Sequence, residues 1–459
     1  MNAPVDPKQL YPADLKVRGF EDLAHVPGPP PARFKTLRTI RFLRDPKGVI
    51  NELASQYGHI FRRQDYMGWG VTLLGPEANE LVLFNKDKIF SSKLGWDPVL
   101  DQLFPNGLMM MDYEPHRQDR KTLSVAFKPA PMKAYLTGLN EGIDRRIGRW
   151  SKTDSFKFYP AIKDLTLDLA AGSFLGLPWG PEAQKINQAF TDMVLAAVAI
   201  VRRPLPFTQM RRGVQGRQYM SEFFAREIPN RRGKEGDDFF TQFCNARDEN
   251  DQLLDDQAII DHMNFLMMAA HDTLTSSITS MVYYLGINPE WQEKLREEVD
   301  AVRARHGDVL PYEALGELEL VEMAFKESLR LIPPVPMIPR RAVKDFEFQG
   351  YRIPAGSGVG VNTLYTHHME EHWPDPERFD PLRFTTQMSA NRHKYAWVPF
   401  GGGAHMCLGL HFAYMQAKAF FFRLLSERRI VLPDGYTSEF WMVPIPRPKD
   451  GLPVRMLPR

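Results

Sequence analysis

Phe400-Gly401-Gly402-Gly403-Ala404-His405-Met406-Cys407-Leu408-Gly409 carries the strongest signal in the chain. The glycines ahead of the cysteine let the backbone turn tightly and bring N–H groups close to the sulfur. An apolar helical pattern follows from Leu410 to Arg428, so Cys407 stands just before a helix N-terminus. The helix dipole and unpaired N–H groups there favour an anion, and a thiolate is one. Cys244, the only other cysteine, lacks such surroundings and reads as an ordinary packed residue. Two cysteines at these positions rule out a disulfide framework and suit a reducing compartment.

Working outward, Leu318 to Leu331 reads as a helix halted by Pro333-Pro334. Short strand-like pieces follow at 346–348, 351–353 and 359–361, with turns at Gly350 and Gly356. Upstream, Asp255 to Leu285 has helical apolar spacing nearly all round and predicts a long buried central helix. Pro289 opens the next helix. Val71 to Leu74 predicts a strand, Glu77 to Phe84 a helix, and Ser91 to Met111 a long loop of functional interest. Residues 1–26 are expected to form a mobile terminus without a membrane anchor, and 27–459 a single domain. No run there reaches the roughly 20 apolar residues that span a bilayer, and no signal-peptide pattern is present, so a cytoplasmic protein is expected. The net charge of +2 and scattered basic residues give no reason to expect nucleic acid as a partner.

The cysteine loop resembles the heme-binding loop of the cytochrome P-450 family, with Phe400, Gly403, His405, Cys407 and Gly409 all matching, and the resemblance runs from about Pro27 to the C-terminus. It implies a mainly α fold with a small β subdomain and the long helix over the heme. It implies heme b, with Cys407 as axial ligand and Phe400 and Gly409 against the cofactor. In that family the thiolate pushes electron density into the iron and favours O–O cleavage. Glu327 and Arg330 match the Glu-x-x-Arg pair that braces the core, and Arg383 in Phe379-Asp380-Pro381-Leu382-Arg383-Phe384 matches its third member, ahead of the nearby Arg378. His116, Arg120, Arg340 and His405 match the contacts to the heme propionates, with Arg341 as the competitor of Arg340.

Ala269-Ala270-His271-Asp272-Thr273 resembles the family's oxygen-activating segment, with Ala269 on the heme face and Asp272 and Thr273 as the proton relay. It departs from the pattern at Ala270, where glycine is common. The activity implied is insertion of one oxygen atom of O2 into an apolar substrate: a fatty acid, terpenoid or steroid-like molecule. Trp96, Leu100, Val335, Met337 and Trp441 are the expected substrate contacts. Electrons are expected from a separate ferredoxin- or flavodoxin-type donor with its reductase, docking on a basic face of Arg117, Lys121, Lys128, Arg392 and Lys394. The protein is expected to be a monomer. A peroxide-driven peroxygenase and a heme protein without turnover are the alternatives, and the Asp272-Thr273 pair argues against both. His262, His271, His367, His368 and His372 lack a metal-ligand framework and read as packing or surface residues.

Overall fold

Apolar side chains on every face of the segment after Asp255 produce a 32-residue helix, Asp256–Ile287, that runs buried through the molecule. Asp255 starts it as a cap, its carboxylate accepting the Ala258 N–H at 2.8 Å. This computed structural model describes residues 10–459 except 33, 66, 152, 179 and 200. Around the central helix pack Phe158–Leu175, Gln209–Arg231, Glu319–Leu331 and Leu410–Glu427. One continuous apolar core joins them, including Leu165, Ile278, Phe325 and Phe412.

A five-stranded sheet stands beside this helical body, in the order Ile60–Asp65, Gly68–Leu73, Gly358–Asn362, Met337–Ala342, Phe90–Ser91. Its second and third strands are parallel and the other pairs antiparallel. The pairing of Arg340 with Val359 fixes the direction in which Arg340 leaves the sheet. The strand Met337–Ala342 was not foreseen, because Pro336 and Pro339 mask its pattern.

Three further expectations are corrected. Ser91 to Met111 is not one loop: Ser92–Leu100 is a helix whose first turn is capped by the Ser91 hydroxyl, which accepts the Leu94 N–H at 3.0 Å. The segment Glu77 to Phe84 divides into a helical turn, Pro76–Asn79, and a π turn, Glu80–Phe84. The terminus expected to be mobile through Val26 is built into the body over residues 10–26: Leu23 and Val26 are fully buried and Arg18 Nε donates to the Ala355 carbonyl at 2.7 Å. Residues 1–9 lie outside the described residues.

The cysteine loop leans on that π turn. Gly403 has φ +62°, and a Cβ there would lie 2.4 Å from the Leu83 carbonyl oxygen. Gly403→Ala is therefore expected to cost about 1–3 kcal/mol through combined strain and overpacking. Denaturant unfolding of the heme-loaded protein measures it, and a cost below about 0.5 kcal/mol would show the loop can shift.

Candidate functional site

The loop closes on itself before the helix begins. The Cys407 N–H donates to the Phe400 carbonyl at 2.9 Å, and the Met406 N–H to Gly403 at 3.1 Å. Phe400 is held by Tyr414, with ring centroids 5.5 Å apart. The Cys407 sulfur is accessible, yet burial in the protein mass pushes its thiol up. A group that is both surrounded and accessible lines an internal void. The Gly409 N–H and the Arg120 charge act in the opposite direction but do not outweigh burial. Helix-terminus electrostatics alone therefore leave a thiol, and the thiolate waits for a cation at the sulfur. Cys244, by contrast, is buried in the core and pushed up to about 12, an inert packed residue.

Arg120 leads to a cluster brought together from three segments of the chain, at 112–120, 340 and 405. The rings of His116 and His405 lie 3.9 Å apart, and both feel the charges of Arg120 and Arg340. Arg340 is 6% exposed, and its Nη1 donates back to the adjacent Pro339 carbonyl at 2.8 Å. Arg341 turns away to the Leu94 carbonyl and the side of Asp97. Burial, with His405 and Arg120 beside it, drives His116 down to about 3. Asp112 opposes these groups, and four hydroxyl or backbone donors already reach its carboxylate. Two guanidiniums, one buried and one half-buried, with two imidazoles beside them and a single carboxylate in opposition, fit an anionic ligand, and two heme propionates supply one. The residues present thus fit heme. Asp112 was missed in the sequence because an acidic residue ahead of a helix reads as an ordinary cap.

On the central helix, Ala269 is exposed although the helix around it is buried. The Thr273 hydroxyl donates to the Ala269 carbonyl at 2.8 Å, which leaves its lone pairs free to accept. Asp272 points the other way: Oδ1 is 3.3 Å from Lys163 Nζ and 3.1 Å from His271 Nδ1. Burial opposes ionisation of Asp272, but His271 and Lys163 outweigh it and hold the carboxyl at about 2. Ala270 and His271 share a small cavity with Phe412 and Gln416, so the helix after the cysteine meets the central helix at this segment.

Glu327 and Arg330 are completely buried and joined by two hydrogen bonds, at 2.7 and 2.8 Å. Arg330 also donates to the His367, Pro376 and Arg378 carbonyls. Arg383 Nε stands 3.3 Å from Glu327, whereas the Arg378 side chain is exposed and near Asp380. His367 accepts the Val398 N–H at 3.0 Å and His262 meets Asp119 at 2.9 Å.

The substrate candidates divide. Trp96, Val335 and Met337 are partly exposed, on elements next to Arg340. Leu100 packs into the core. Trp441 faces out beneath Lys449, and strand alternation turns Phe440 inward toward Tyr283 instead, with centroids 5.7 Å apart. In the expected basic face, Arg117 and Lys121 both pair with Glu249, and Arg392 lies over Trp373.

Among the described residues no helix is long and apolar enough to cross a membrane. The chain matches the family model for cytochrome P-450 over residues 27–440. It is 38% identical over 399 residues to a Mycobacterium tuberculosis protein named as cytochrome P-450 136, across 85% of this chain and 80% of that one. It is 27% identical over 425 residues to beta-amyrin 28-monooxygenase of Solanum lycopersicum, across 90% and 87%. The solved structure of a retinoic acid-bound cyanobacterial relative, CYP120A1, superposes with a TM-score of 0.85 at 28% identity, over 97% of this chain and 100% of that one. The fold and this loop define a heme-thiolate monooxygenase. The chain belongs to the cytochrome P-450 family.

Proposed function

We propose that the chain hydroxylates a large apolar terpenoid-type molecule, with electrons from a separate ferredoxin- or flavodoxin-type protein and its reductase. The carrying observation is that Cys407 and Ala269 are both accessible, Ala269 on a helix that is otherwise buried, while distant segments add the half-buried apolar residues Trp96, Met109, Val335 and Met337. Relatives whose names specify beta-amyrin, and a solved relative bound to retinoic acid, support a bulky carbon skeleton over a polar substrate. A separate electron donor is supported by the cysteine count: with Cys407 committed to heme, Cys244 alone cannot hold an iron–sulfur cluster.

Heme, when bound, supplies the oxygen chemistry. Cys407 would bind its iron, and His116, Arg120, Arg340 and His405 would meet its propionates. Thr273 accepts a proton donor through its free lone pairs. Asp272, held ionised by Lys163 and His271, carries protons from the Lys163 side of the helix toward Thr273 by side-chain rotation. Thr273→Ala is expected to leave electron consumption running while product per electron pair falls. Asp272→Asn is expected to slow product formation about a hundredfold. Unchanged coupling in the first removes Thr273 from the relay.

Spin-state titration of the ferric protein with retinoic acid, beta-amyrin, a sterol and a long-chain fatty acid tests the substrate class. Terpenoid binding is expected to produce the larger shift. A shift with the fatty acid alone overturns the proposal.

A further inference from the structure

Asp112 is a puzzle as it stands. It is 3% exposed and lies among the groups that would hold two propionates, where a third negative charge repels the ligand. Its work must pass through its neighbours. Oδ2 accepts from the Tyr11 hydroxyl at 2.8 Å, the Ser91 hydroxyl at 2.5 Å and the Lys93 N–H at 3.3 Å. Oδ1 accepts the Ser92 N–H at 2.7 Å and stands 3.6 Å from His405 Nε2. The carboxylate therefore ties the ring that precedes the thiolate loop to a tyrosine 101 positions away in sequence.

Tyr11 belongs to a segment anchored along its length. The Arg18 N–H donates to the Gly356 carbonyl at 3.4 Å, and Gly356, at φ +91°, lies so close that a Cβ would overlap the Lys16 carbonyl. Phe20 packs on Trp69 with centroids 5.1 Å apart, and the Arg62 guanidinium lies over the Phe20 ring. Leu23 and Val26 complete the attachment in the sheet's core.

We propose that residues 10–26 form a strap that seals the propionate edge of the heme, with Tyr11 and Asp112 as positioning residues acting through His405. This rests on heme held at Cys407. The strap fixes Asp112; Asp112 fixes the His405 ring against His116, tilted 33° to it; and the close pair presents a set geometry to the propionates.

The test uses heme-loaded full-length protein: wild type, Tyr11→Phe, Asp112→Asn and the double variant. The rate of heme transfer to excess apomyoglobin and the ferric/ferrous midpoint potential are measured. Tyr11→Phe is expected to speed heme loss several-fold, and Asp112→Asn about tenfold or more. The double variant is expected to match Asp112→Asn, because both act through one contact. The potential is expected to rise in Asp112→Asn, where a nearby negative charge is lost, and to stay put in Tyr11→Phe. Wild-type heme loss in Tyr11→Phe, or fully additive effects, overturns the proposal. If Asp112→Asn does not accumulate, Tyr11→Phe against wild type decides alone. Protein that binds no heme at all would fail the cysteine assignment, a different result from heme retained at the wild-type rate.

Discussion

Cys407→Ala is expected to abolish the strongly red-shifted Soret band of the reduced carbon monoxide complex, and turnover with it. The alternative sulfur, Cys244, is fully buried among helices and cannot replace it. The propionate cluster is untouched by the substitution, so heme can still associate through His116, Arg120, Arg340 and His405. The expected product is a protein that holds porphyrin without a thiolate signature. This separates ligation from binding. A retained red-shifted band would refute Cys407 as the ligand, and the relay and propionate assignments would need rebuilding around another donor.

Glu327→Gln is expected to destabilise the protein by about 3–5 kcal/mol, because it strands Arg330 and Arg383 without their shared carboxylate. Arg330 would keep its three carbonyl acceptors, which limits the loss. The Asp380 N–H, which donates to Glu327 Oε1 at 3.0 Å, would then compete with the arginines for the one oxygen that glutamine keeps. Arg378→Ala is the matched control; that side chain is exposed, and a change within about 0.5 kcal/mol is expected. Urea unfolding of both variants, with heme content read in parallel, checks the pair. Equal costs in the two would remove the buried triad from its bracing role.

Much of this was legible in one sequence because the chemistry is local. The glycine turn, the cysteine and the following helix occupy consecutive residues, and the central helix declares itself by apolar residues on nearly every face. The Glu327 and Arg330 pair is three residues apart on one face. Other features were hidden because their meaning is non-local. Asp112 resembles a helix cap until Tyr11, Ser91 and His405 are seen to converge on it. The helix Ser92–Leu100 contains Gly95 and Pro98, which read as loop, and forms because the Ser91 cap and packing on the sheet override propensity. The choice of Phe440 over Trp441 depends on strand phase, which a two-residue strand does not reveal.

By itself, then, the sequence determined the thiol before a helix, the long central helix and the acidic–hydroxyl pair within it, since each depends on a pattern within one segment. Only the tertiary structure decided that Arg340 and not Arg341 joins the histidines, that Asp272 is turned toward Lys163, and that residues 10–26 reach the same edge. Those outcomes depend on strand register, side-chain direction and the packing of segments far apart in sequence, and no local pattern encodes any of the three.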